Sequence, residues 1–130
     1  MPIAALILAA LAALIHVYIF VLESLLWTAP ATRKTFGTTE AGAAATRELA
    51  FNQGFYNLFL ALVTVAGIIA GTTGHNGVGA ALVLAGCGSM LAAGLVLLIS
   101  APKKAKAALI QLLFPLLAVL GVLTWLIFLN

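Results

Sequence analysis

Hydrophobic positions in this chain come in four long runs, with neither the strict alternation of a strand nor the narrow stripe of a soluble amphipathic helix. The runs cover about residues 3–27, 46–70, 78–100 and 107–129. Each is near the ~20 residues with which an α-helix crosses a hydrocarbon core of ~30 Å. The pattern predicts an all-α fold, a polytopic membrane protein built as one four-transmembrane-helix bundle over residues 1–130. His16 and Glu23 interrupt the first run, and Trp27 sits at its edge, where tryptophan favours the headgroup level. Thr28-Ala29-Pro30 then stops the helix, because the residue before proline is pushed out of the helical region. A loop is expected from Thr28 to about Ala44, followed by Thr46 as N-cap and Glu48 in the first turn of the second span. The linker Gly71–Gly77 carries no acid, lysine or arginine, and Pro115 is expected to kink the last span near Gln111.

Composition removes the soluble alternatives. With 65% hydrophobic and 7% charged residues, the chain is far from the roughly one-quarter charged content of soluble domains. All six lysines and arginines fall in or beside two connections, Arg33, Lys34 and Arg47 in one and Lys103, Lys104 and Lys106 in the other. In a four-span chain these connections share a side, and short basic loops stay cytoplasmic. The expected location is the inner membrane, multi-pass, with both termini and the Gly/His linker outside. The net charge of +3 thus belongs to loops that meet membrane lipids, and no nucleic-acid surface is expected. The first run lacks the basic start of a secretory signal and is too long for its apolar core, so it is expected to persist as a span. The lone Cys87 lies in an apolar run and reads as a small core residue.

Gly77, Ala81, Ala85, Ser89 and Ala93 recur every four residues. Helices in lipid associate by close packing, so this stripe is expected against another helix of the bundle or of a second copy. No internal repeat is apparent.

Polar groups inside a membrane are costly and usually face the bundle interior or a wet cavity. Here they gather by depth. Glu23 lies about one turn from the basic end of its span. Asn52, Gln53, Tyr56 and Asn57 lie within about three turns of the same end of theirs, and Gln111 about one turn into the last. His16 is deeper. These residues point to a ligand-binding pocket in the cytoplasmic half, formed by His16, Glu23, Arg47, Asn52, Gln53, Tyr56 and Asn57. Arg47 would anchor an anion, and Glu23 or His16 would serve as acid or base. His16, Phe20, Glu23 and Trp27 step by four, three and four residues and so share one helix face. Glu23 is expected within hydrogen-bond reach of Asn52, Gln53 or Tyr56. The same amides can also act simply as hydrogen-bond glue between helices. The two histidines are 59 positions apart, so no metal site is expected.

His16-Val17-Tyr18, Glu23, Trp27-Thr28, Arg33, Phe36-Gly37, Arg47, and above all Asn52-Gln53-Gly54-Phe55-Tyr56-Asn57 resemble a family of small four-helix bacterial membrane proteins. That family is known as a domain of unknown function, and the resemblance implies a four-span fold without naming an activity. A looser similarity is to the membrane-associated eicosanoid and glutathione metabolism proteins, four-helix chains that are typically trimers with a cytoplasmic-side site between subunits. Over residues 50–57 their pattern matches Ala50 and Asn57, while Phe51, Gln53 and Tyr56 depart from it. Those departures fall where glutathione is held, so no cofactor is expected from the residues themselves; glutathione, like a homo-oligomeric trimer, is implied only by this likeness.

Three functions fit these observations: a bundle binding or acting on a small lipophilic molecule, a structural or partner-binding membrane subunit, and a small multidrug-type transporter. For the last, Glu23 lies nearer the membrane edge than the acid of small multidrug exporters. Topology is directly testable. A C-terminal fusion should give alkaline phosphatase activity and no green fluorescence, since the basic count is six against zero. The opposite pattern would reverse the assigned orientation.

Overall fold

A computed structural model describes residues 1–129, all of them helix or short connection. Helix α1 (Ile3–Phe20) continues without a break into a π-helical stretch, Val21–Leu25. There the Leu26 amide donates to the Val21 carbonyl at 3.0 Å, a five-residue step. Two short helices follow, α2 (Pro30–Phe36) and α3 (Glu40–Ala45), then α4 (Arg47–Thr72) and α5 (Asn76–Ser100). A 3₁₀ turn, Pro102–Lys104, leads into α6 (Ala105–Phe128). Four of these segments are long and apolar enough to cross a membrane: Ile3–Leu25, Arg47–Thr72, Asn76–Ser100 and Pro102–Phe128.

The first connection is more structured than the loop expected from sequence. Pro30 occupies the first turn of α2, where its missing N–H costs nothing, and Gly37 ends that helix in the left-handed conformation at φ 65°. Thr39 caps α3, its Oγ1 accepting from the Gly42 amide at 3.0 Å. Thr46 precedes α4 as expected, yet its hydroxyl does not cap the helix. It donates to the Gly42 carbonyl at 2.8 Å and accepts from Trp27 Nε1 at 3.2 Å. The second connection shrinks to Thr73–His75. Pro115 is fully buried in α6, which stays helical on both sides of it.

The four long helices form a ring in which α1 packs on α4 and α6, and α5 closes the other side between the same two. The core is unusually small-chained. Ala5, Ala9, Ala12 and Ala13 of α1 are buried, as are Ala61 of α4, Ala80 of α5 and Ala118 of α6, with Val83 and Met90 among the few bulkier members. Lipid tails are as apolar as leucine, so helices gain little from burying large side chains together and gain more from backbone proximity. The α4–α5 seam is the extreme case. A Cβ on Gly79 would lie 2.8 Å from Gly71 Cα, and one on Gly67 would lie 2.7 Å from the Val83 amide nitrogen.

The Gly77–Ala81–Ala85–Ser89–Ala93 stripe makes no seam within the bundle. All five residues are exposed, and the buried face of α5 runs through Gly79, Val83, Gly86, Met90 and Gly94. The reason is geometric. A step of four residues overshoots one turn by about 40°, so a pure four-residue stripe winds around the helix. The buried set mixes threes with fours and stays on one side.

The basic connections meet at one end of the bundle, where Lys104 lies beside Trp27 and Thr46. At the other end the Met1 amine donates to Asn76 Oδ1 at 2.9 Å.

Gly79→Leu should therefore destabilise the bundle in detergent by about 2 kcal/mol or more, through overpacking of two backbones. Ala85→Leu should leave the melting of a single copy within about 0.5 kcal/mol, as expected of an outward position. A thermal melt of both variants checks the assignment, and equal losses would refute it.

Candidate functional site

The site begins with the change of helical register in α1. The π-helical stretch brings Ser24 and Glu23 against α4, where Ser24 Oγ donates to the Phe51 carbonyl at 2.8 Å. Gly54 faces them. A Cβ there would collide with Ser24 Oγ and come within 2.9 Å of the Ser24 amide nitrogen and 3.1 Å of Glu23 Cβ. Any other residue would push the two helices apart. The aromatic rings beside this contact interlock, Phe20 meeting Phe55 edge-on with centroids 5.1 Å apart.

This approach delivers Glu23 to α4. Its Oε2 accepts a hydrogen bond from Asn57 Nδ2 at 2.9 Å, and the same amide nitrogen donates to the Gln53 carbonyl at 3.1 Å. Glu23 thus does reach the polar run of α4, but its partner is Asn57 rather than Asn52, Gln53 or Tyr56. Oε1 accepts no hydrogen bond among the described residues and is not buried.

Glu23 also borders an open cleft of about 350 Å³ at the basic end of the bundle. Trp27, Phe36, Leu49 and Ala50 give it apolar walls, Thr38, Thr46 and Gln53 add hydroxyl and amide groups, and Lys104 stands on its edge. Trp27 is held by its bond to Thr46 and by Phe36, whose ring centroid lies 5.0 Å away at 60°. Behind it, Arg33 reaches Glu40 at 3.7 Å, while its Nε is buried without a partner among the described residues.

The expected pocket therefore divides. Glu23 and Gln53 share the cleft, with Asn57 behind the carboxylate. His16 does not join them. It is buried, and its Nδ1 bonds to the Ala12 carbonyl of its own helix at 2.9 Å. The shared face predicted for His16, Phe20, Glu23 and Trp27 assumes an unbroken α-helix, and the π-helical stretch between Phe20 and Leu26 shifts the later residues around the axis. Arg47, Asn52 and Tyr56 are all exposed. Arg47 borders a separate depression with Ala44, Ala45, Glu48 and Phe51 and does not line the cleft that Glu23 borders. Asn52 and Tyr56 point out of the bundle because Ala50, Gly54, Asn57 and Ala61 occupy the inward face of α4.

Sequence reasoning missed Ser24, Phe36, Thr38 and Lys104. Lys104 was findable, since the third connection must return to the level of the first. Phe36 was not, because its place depends on α2 forming within an expected loop.

The Glu23–Asn57 contact should be worth about 0.6–2 kcal/mol in a double-mutant cycle of Glu23→Leu and Asn57→Leu, the range for hydrogen bonds between membrane helices. Gly54→Val should cost more than either single change, because it displaces backbone. A coupling of zero in detergent melts would mean that the two side chains act independently.

Among the described residues no three histidine, cysteine, aspartate or glutamate side chains gather as a metal site. Neither a curated protein nor a solved structure matches the chain. The profile described as "Protein of unknown function (DUF1304)" matches residues 10–123. That stretch carries the π-helical turn, Glu23, Gly54 and Asn57, and the chain belongs to this family.

Proposed function

We propose that this membrane protein binds a small lipophilic molecule in the cleft bounded by Glu23, Trp27, Phe36 and Gln53. The observation that carries the reading is a carboxylate with one oxygen held by Asn57 and the other free, in a cleft with largely apolar walls. Ligand sites are mostly apolar concavities with a few fixed polar groups, and ~300 Å³ is about the lower size for one. An acid near hydrocarbon is costly, and such residues mark ligand or ion pathways more often than passive packing. In the orientation inferred from the basic connections, the cleft lies on the cytoplasmic side of the inner membrane, with both termini outside. We assign binding and no reaction. Glu23 is two residues from the end of the span Ile3–Leu25, and this peripheral depth favours binding over transport. The outward stripe on α5 supports a further element of the proposal, association of copies of the chain through that face.

The test uses purified protein in phosphatidylcholine nanodiscs and three probes with one skeleton: 4-phenylbutanol, 4-phenylbutyrate and 4-phenylbutylamine. Calorimetry should show saturable binding of at least one, above partition into empty nanodiscs. Leu49→Trp, at an exposed position on the cleft wall, should weaken it by about tenfold through steric filling. Absence of saturable binding for all three probes would overturn the reading, as would binding indifferent to Leu49→Trp.

A further inference from the structure

We infer that the ligand of this cleft is a lipophilic amine, held as its ammonium ion by Glu23 beside the rings of Trp27 and Phe36. The inference rests on the binding reading above and names the chemical class that the lining selects. An ionised carboxylate offers only acceptor sites. Asn57 saturates part of Oε2, and Oε1 is left for a donor brought from outside. Asn57 Nδ2 already donates to both Glu23 and the Gln53 carbonyl, so it has little left for a ligand.

Charge points the same way. The ion pair present among the described residues joins Arg33 to Glu40, and no lysine or arginine nitrogen lies within 4.0 Å of Glu23. Lys104 borders the cleft but is exposed and makes no such pair. A carboxylate near low dielectric without a counter-ion is expensive, and a ligand cation removes that cost. Trp27 and Phe36 line the same cleft, and an aromatic ring attracts a cation that lies over it within about 6 Å of its centroid. Their tilted contact and the Trp27–Thr46 hydrogen bond fix the rings before a ligand arrives. An anionic head group would instead meet Glu23 directly, with one exposed lysine, Lys104, on the lining to offset it.

The three phenylbutyl probes in nanodiscs separate this claim from the broader one. 4-Phenylbutylamine should bind at least about tenfold tighter than 4-phenylbutanol, since both can donate to Glu23 but only the amine brings an opposite charge. 4-Phenylbutyrate should be the weakest. Glu23→Gln should remove the amine's advantage and bring it to the level that the alcohol shows in the same variant. Lys104→Gln keeps the acid and removes the neighbouring cation, so the amine should bind as tightly or up to about threefold tighter. Equal affinity for alcohol and amine, preference for the carboxylate, or an amine indifferent to Glu23→Gln would each overturn the amine while leaving the cleft a binding site. Weakening by Lys104→Gln would show that the lysine holds the head group and would overturn it too. Loss of binding for all probes would instead remove the underlying reading.

Discussion

Gly54 lets α1 lie against α4 at backbone distance, and the remaining arrangement at the basic end follows from that contact. The residue has no Cβ to hold Ser24 away, so the Ser24 hydroxyl can reach the Phe51 carbonyl. That bond offsets part of the cost of a backbone register in which each donor skips one acceptor further than in an α-helix. Glu23 arrives beside Asn57 as a consequence, and Trp27 is set down where it can meet Thr46 and Phe36. The cleft is what remains between these fixed points. Its shape is a by-product of one missing methyl group.

The same economy governs the rest of the bundle. Helix α4, like α6, lies between α1 and α5, and it meets both through small residues. Gly54 serves α1, Gly67 serves α5, and a Cβ on Gly71 would meet Met1 and Leu6. Large apolar side chains are turned outward, as Leu49, Phe59 and Ile69 show on α4 alone. This inverts the arrangement of a soluble bundle, because lipid accepts leucine as readily as the protein interior does. Stability then depends on many dispersion contacts between backbones and hydrogen bonds such as Glu23–Asn57, each modest alone.

The spans were legible because apolar length is a one-dimensional property, and neither neighbours nor rotation enter it. Facing was harder to read. Asn52 with Tyr56 and Gln53 with Asn57 are two plausible polar strips about 100° apart, and amide chemistry does not choose between them. Small residues do. Ala50, Gly54, Ala61, Thr64 and Gly67 all lie on the buried side of α4, and Asn57 is in phase with them. On α5 a strict period of four picks out the outward face, whereas on α4 side-chain size alone marks the buried one. The π-helical stretch had no comparable signal, since Val21-Leu22-Glu23-Ser24-Leu25 contains no proline or glycine to mark a break. Its cause lies across the interface, in α4.

The π-helical stretch has a consequence for how the chain can change length. It holds one residue more than an α-helix would use to cover the same rise. Upstream of it, the alanines of α1 face α4 and α6; downstream, Glu23 and Ser24 face α4. The wider turn absorbs that residue locally, so both halves stay in phase with their partners. Drawing the same residues into a regular α-helix would instead turn one half by about 100° relative to the other. The chain could then keep its alanine face or its acid in place, but not both. Losing one of Val21, Leu22 or Leu25 would restore a continuous α-helix of the same rise and keep both faces, which makes these five positions the place in the span where the chain can shorten.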